Sequence, residues 1–168
     1  MIINILKYGF SLLILLLLQV TVLNHFTILG IATSYLYILY IITLPFDIPK
    51  GLLYTLAFIT GLSVDIFCNT PGMHLLSTLL LAGFRHPVLL LFFAKEELES
   101  YPPSAYSLGL WRFMRYALTL ALAHHFTLFL LESFTLFNLG QIILKTISSV
   151  LFTSFFIFCI ETIKIARR

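Results

Sequence analysis

Long apolar runs separated by short polar punctuation organise this chain. Measured against a bilayer that takes about 20 apolar residues per helical crossing, the runs predict six helices, over residues 5–23, 28–46, 51–68, 72–93, 108–131 and 139–163. The breaks at residues 24–27, 69–71 and 132–138 are brief. One sizeable connection, residues 94–107, carries Lys95-Glu96-Glu97-Leu98-Glu99-Ser100 ahead of Tyr101-Pro102-Pro103. A polar, proline-broken stretch of this kind cannot sit in hydrocarbon, so a cytoplasmic loop is expected there. Lys7 ahead of an apolar run resembles a signal peptide, but no small-x-small cleavage site follows, and a retained first helix is the expectation. The predicted fold is all-α: a polytopic integral membrane protein of six transmembrane helices in a single membrane-embedded domain, residues 1–168.

Composition agrees with the pattern. The chain is 60% hydrophobic and 10% charged, with a mean hydropathy of +1.04, whereas soluble domains are about one-quarter charged. A water-soluble globule, a disordered chain and a nucleic-acid binder are thereby excluded. The net charge of +3 matters less than where each cation falls. With the N-terminus inside, Lys7, Lys50, Lys95, Arg112, Arg115, Lys164, Arg167 and Arg168 are cytoplasmic or inner-interfacial, eight of the ten basic residues. The three outer breaks hold no Lys or Arg. Both termini are therefore expected in the cytoplasm. Lys145 is the exception, and its stem can snorkel outward from the start of the sixth helix.

Trp111, Arg112 and Arg115, with Tyr116, give the start of helix five the aromatic and basic mixture of an interface. Arg85-His86-Pro87 interrupts helix four. The pre-proline restriction favours a crossing that ends near Arg85, with residues 88–94 along the inner interface and Arg85 snorkelling inward as a further anchor. The alternative is a long kinked helix with Arg85 facing the protein interior.

Ionisable residues inside the runs are the candidates for chemistry. A carboxylate at mid-helix costs about 2.5–3.5 kcal/mol, so Asp65 needs a partner. Gly61 lies one turn earlier on the same face, where a missing side chain permits close helix approach. Thr70-Pro71-Gly72 reads as a helix start with Thr70 at the cap, and His74 lies one turn inside. Asp65 either hydrogen-bonds nearby amides and His74 or shapes a partner-facing surface. His124, His125 and Glu132 occupy the outer half of helix five, at depths like those of Asp65 and His74. A cluster across helices three, four and five is conceivable, but no metal-binding spacing supports it, and interhelical hydrogen bonding is the better reading. Gln19, near the outer end of helix one, is expected to meet a partner across a helix interface or simply to pack. Cys68 and Cys159 form no redox or metal motif and read as buried thiols. Nucleophile and phosphate-binding motifs are missing, so no catalytic residues, metal or cofactor are expected.

Leu17-Leu18-Gln19, Leu44-Pro45 and above all Gly61-Leu62-Ser63-Val64-Asp65-Ile66-Phe67, followed by Thr70-Pro71-Gly72-Met73-His74, resemble the rod shape-determining MreD family. The likeness spans the chain in length and helix order. Its sharpest element is the Gly-x-x-x-Asp segment with the Pro-Gly that follows. His124-His125 with Leu128, Phe129 and Glu132 resembles the branch found in Bacteroidetes-type bacteria, whereas the long loop over residues 94–107 departs from shorter members. The resemblance implies a non-enzymatic subunit of the cell-elongation complex in the bacterial inner membrane. Such a subunit binds MreC and, through it, meets the RodA-type polymerase, its transpeptidase and MreB. The family's fold is similar to the substrate-binding subunits of energy-coupling-factor vitamin transporters, which supplies an alternative, a small-molecule binding subunit. A vitamin binder needs an outward pocket of roughly 300–1,000 Å3 with convergent polar groups. A scaffold needs a lipid-depth groove of small and apolar residues.

Overall fold

The computed structural model describes residues 2–28, 30–133 and 138–167, with side chains from residue 8 onward. Residues 134–137 of the third outer break, the Lys7 side chain and Arg168 lie outside the described residues.

Five long helices carry the fold: α1 (Ile2–Thr21), α3 (Lys50–Cys68), α4 (Met73–Phe92), α7 (Leu110–Ser133) and α8 (Leu139–Ala166). Tyr8–His25, which takes in most of α1, and the other four helices are each long and apolar enough to cross a membrane. Their exteriors are apolar to match. Ile66, Phe67, Leu91, Leu151 and Phe155 are widely exposed, whereas Gln19, Asp65, His74, Arg85, His124, His125, Thr153 and Glu161 are buried. An apolar outside around a hydrogen-bonded polar inside suits hydrocarbon and inverts the pattern of a soluble domain. Helices α3 and α4 form an antiparallel hairpin, and α4, α7 and α8 pack side by side.

Residues 28–46 do not form the single helix predicted for them. After a short 3-10 turn (Leu23–His25), strands β1 (Thr27–Ile28) and β2 (Ala32–Thr33) pair antiparallel, with Thr27 opposite Thr33 and Ile28 opposite Ala32. Only α2 (Ile38–Ile42) is helical. Gly30, at φ +68°, sits in the turn between the strands, a left-handed conformation that glycine adopts without steric cost. The segment starts beside the end of α3, where Asn24 Nδ2 donates to Cys68 Sγ at 2.9 Å. It ends beside Arg85, more than three turns into α4, so it runs lengthwise through the bundle. Residues 36–42 and Leu44 are at most 2% exposed.

Non-helical backbone is tolerated at membrane depth only where protein supplies the missing hydrogen bonds, and here side chains of four helices supply them. Thr33 N donates to Ser149 Oγ and Tyr35 N to Thr153 Oγ1, each at 3.0 Å. Gln19 Nε2 donates to Ser34 O at 2.9 Å, and its Oε1 accepts from Tyr37 N at 3.4 Å. Tyr116 Oη donates to Ile42 O at 3.0 Å, and Arg85 Nη2 donates to Leu44 O and Pro45 O. An apolarity count reads this segment as a helix because its side chains are as greasy as those of a span. Its conformation is set by polar partners distant in sequence.

Helix α4 runs unbroken through Pro87, and Arg85, 1% exposed, faces the interior. The interfacial ending and the snorkelling anchor expected for Arg85 are therefore overturned. The carbonyls of Leu44 and Pro45 reward its burial, and neighbouring helices make an interior proline tolerable in a membrane helix. Trp111, Arg112 and Arg115 are exposed near the start of α7. The connection over residues 94–107 is built of α5 (Lys95–Ser100) and α6 (Ala105–Leu108). Leu98, Ala105 and Leu108 are buried, and Arg112 Nη1 pairs with Glu97 Oε1 at 3.1 Å. Buried Glu161 holds the start of α6 by accepting from Ala105 N at 2.9 Å. Cys68 and Cys159 are half-buried rather than buried.

Candidate functional site

The half of the bundle that holds the α3–α4 turn joins two neighbouring arrangements. In the first, α3 acts directly on the start of α4. Gly72, at φ +83°, is the cap residue of α4 and supplies no side-chain cap, so the helix begins later than the Thr70 start expected. Asp65 takes over that task from across the interface. Its Oδ1 accepts from His74 N at 3.0 Å and its Oδ2 from Leu75 N at 2.9 Å, while Thr70 Oγ1 donates to Oδ1 at 3.0 Å. Two first-turn amides that would lack an intrahelical partner thus meet a carboxylate, where the helix dipole also favours negative charge. Gly61 makes the approach possible. A Cβ built there would lie 2.6 Å from Leu75 Cα and 2.9 Å from His74 O.

The second arrangement links the imidazoles. Tyr37 Oη lies 2.9 Å from His74 Nδ1 and 2.8 Å from His124 Nε2. His124 Nδ1 is buried without a hydrogen-bond partner. An orphaned lone pair costs less than an orphaned N–H, so the economical arrangement has His124 Nε2–H donating to Tyr37, whose hydroxyl donates to His74. His125 Nδ1 faces Ala121 O at 2.7 Å and its Nε2 faces Thr153 Oγ1 at 3.0 Å. Thr153 therefore receives Tyr35 N–H and passes its own proton to His125. The Tyr35 ring sits edge-on to His74 and His125, with centroids 5.2 Å away in both cases.

The candidate residues thus divide. Gly61, Asp65, Gly72 and His74 build the α3–α4 junction, with Pro71 in the turn before it. His124 and His125 meet the non-helical segment through Tyr37 and Thr153. Gln19 holds the same segment and donates to Asn24 Oδ1 at 2.8 Å. Asp65 meets the backbone of His74 rather than its ring. Glu132 stays outside this network, exposed and paired with Lys145 at 3.2 Å. The pair is solvent-accessible, so Lys145→Ala is expected to lower stability by about 0.5 kcal/mol or less, read as an almost unchanged thermal midpoint in detergent. A larger drop would mean that Lys145 holds more than Glu132.

Sequence reasoning missed Tyr35, Tyr37, Ser149 and Thr153, and Tyr116, expected at the interface, is buried inside the bundle. One signal for two of them was available: Thr146, Ser149, Thr153 and Glu161 recur at helical spacing and all face inward on α8, a polar stripe that calls for a buried polar partner.

Two cavities flank the network. The first, about 430 Å3, opens beside the ends of α1 and α3 and is lined by Asn24, His25, Tyr35, Thr70, His74 and Glu132 among others. The second, about 510 Å3, lies on the apolar exterior between α7 and α8, along Thr119, Leu122, Ala123, Phe126, Ile143 and Ile147. Among the described residues no three His, Cys, Asp or Glu side chains converge as a metal would need.

Fold and site define a helical membrane protein whose buried polar side chains carry a non-helical segment through the bundle. Compared with models of protein families, with curated proteins and with solved structures, the chain finds no match.

Proposed function

We propose that the chain is a non-enzymatic, MreD-like subunit of the bacterial cell-elongation complex in the inner membrane. It holds MreC there and, through it, supports the RodA-type polymerase, its transpeptidase and MreB. In this reading the five long helices and the segment over residues 27–46 make six crossings, and the energy-coupling-factor type of fold serves as scaffold. Both termini then share the side rich in Lys and Arg, the cytoplasm by the positive-inside rule.

The observation that carries the reading is the α7–α8 cleft. Its lining is apolar, with Thr119, Ala123 and Thr146 as small residues among Leu122, Phe126, Ile143 and Ile147, and the buried Thr146 hydroxyl has no partner. This is the surface a partner helix packs against when close contact and interhelical hydrogen bonds drive association. The residues behind the resemblance already have partners inside the bundle: Asp65 holds two backbone amides and Thr70, the His74 ring meets Tyr37, and His125 meets Ala121 O and Thr153.

Ala123→Trp, which fills the cleft from a half-buried position, is expected to reduce co-purification of MreC at least about tenfold, a change worth roughly 1.4 kcal/mol. Yield and thermal midpoint should hold. Depleted cells should round up while vitamin uptake continues. Full MreC recovery with Ala123→Trp would remove the cleft from the proposal, and normal shape after depletion would remove the proposal itself.

The cavity of about 430 Å3 favours a second reading, a small-molecule binding subunit, because it is wide enough and has convergent polar groups. Purified protein that retains a stoichiometric small molecule, displaced by His74→Ala, would favour that reading.

A further inference from the structure

On the membrane-facing side of the α3–α4 hairpin, far from the Asp65 junction, a cleft of about 210 Å3 opens between the first turns of α3 and the second half of α4. Lys50 and Tyr54 line it from α3, Gly83, Arg85 and His86 from α4, and Phe46 from the segment below. Its charge is unbalanced. The four ion pairs among the described residues involve Lys95, Arg112, Lys145 and Lys164, so neither Lys50 nor Arg85 has a carboxylate partner. Arg85 is 1% exposed; its Nη2 serves two carbonyls, and its Nε has no partner. Asp47, the nearest acid in sequence, lines a different cavity, between α1 and α3.

A buried cation with no counter-charge is expensive in a membrane, and here it forms the floor of an opening that other donors surround. Helix α3 starts at Lys50 with no side-chain cap, so its first-turn amides add positive potential. The His86 ring stacks on Phe46 at 4.8 Å between centroids, which fixes the plane of its ring nitrogens. Gly83 keeps the wall low, since a Cβ there would come within 3.3 Å of Tyr54 Oη.

We propose that this cleft binds a phosphate-bearing anion, the headgroup of an anionic phospholipid, held by Lys50, His86 and Tyr54 over the Arg85 charge. A cleft lined by exposed Lys50, Tyr54 and His86, with exposed Phe84 and Leu90 on the same stretch of α4, suits a lipid phosphate. The site is independent of the elongation reading, because it lies on α3 and α4 and not on the α7–α8 cleft.

The test uses the full chain, purified in mild detergent and stripped of lipid, with thermal unfolding and native mass spectrometry as readouts. Phosphatidylglycerol should raise the midpoint by several degrees and remain bound, whereas phosphatidylcholine should do neither. Lys50→Ala/His86→Ala, at two exposed positions that leave the fold intact, should weaken phosphatidylglycerol binding about tenfold or more, the loss expected for charge-assisted hydrogen bonds. Lys145→Ala, at the other end of the bundle, should leave it unchanged. Equal protection by inorganic phosphate, abolished by the same double variant, would uphold the anion site and assign it to a soluble phosphate. Undiminished lipid binding by the double variant, or an equal loss in Lys145→Ala, would overturn the proposal.

Discussion

Replacing Gly61 by leucine is expected to separate α3 from α4 and cost the protein most of its stability. Alanine alone brings a Cβ to 2.6 Å from Leu75 Cα and 2.9 Å from Leu75 N. Those atoms are backbone, so no rotamer change relieves the clash. Either the helices move apart or the start of α4 unwinds, and both break the Asp65 bonds that depend on the same contact. Overpacking of this kind costs about 1–3 kcal/mol for small insertions, and leucine, three heavy atoms larger than alanine, should exceed that range. Thermal unfolding in detergent should show Gly61→Ala well below the parent and Gly61→Leu yielding little folded protein. Gly51→Ala and Gly140→Ala are the controls, because a Cβ at either meets nothing within 4 Å. A Gly61→Leu protein as stable as these controls would mean that the two helices are not in backbone contact.

The second large effect is expected at Asp65. Asp65→Ala leaves His74 N, Leu75 N and the Thr70 hydroxyl without their acceptor, the first in a buried place and the other two in part-buried ones. With bonds to a charged acceptor worth about 1.5–3 kcal/mol each, and some recovery by local fraying of α4, a loss of about 3–5 kcal/mol is expected. Asp65→Asn keeps one oxygen to accept but turns an NH2 toward an amide, and should lose about half as much. Stability in the order parent, Asn, Ala is the expected result, and recovery of the partner complex should follow it, since the same junction sets the outer surface. Equal stability of Asn and Ala variants would show that the carboxylate does not act as the cap of α4. Unchanged stability of both would remove Asp65 from the junction altogether.

These two positions were legible in the sequence because their signals are local. A carboxylate in an apolar run must be rewarded, and a glycine one turn earlier on the same face marks close packing. The predicted boundaries of the third and sixth helices and the start of the fourth fall close to those observed for the same reason: apolar length against bilayer thickness, and Thr70-Pro71-Gly72 as punctuation, are properties of short windows. The α5–α6 connection shows the limit of such windows. Its charges and prolines forbade a membrane helix, but the anchor that orders it is Glu161, more than fifty residues away on α8.

Residues 28–46 and Arg85 were misread together, and one cause links them. Hydropathy records what a segment transfers into an apolar phase, and it does not record where the backbone hydrogen bonds go. A helix satisfies them internally, so an apolar run defaults to helix. In this protein Gln19, Arg85, Tyr116, Ser149 and Thr153, lying on α1, α4, α7 and α8, offer those bonds from outside the segment. The extended conformation is then affordable inside the bundle. Pro87 points to a crossing that ends near Arg85 and so to an interfacial place for it; its partners are carbonyls about forty residues earlier in the chain, which no window around Arg85 contains. What the sequence by itself determined was the solvent, the length and limits of most long helices and the need for a contact at Gly61 and Asp65, all consequences of composition and of spacing within one turn. Only the tertiary structure decided which run abandons the helix, because that choice turns on hydrogen-bond partners brought together from four helices.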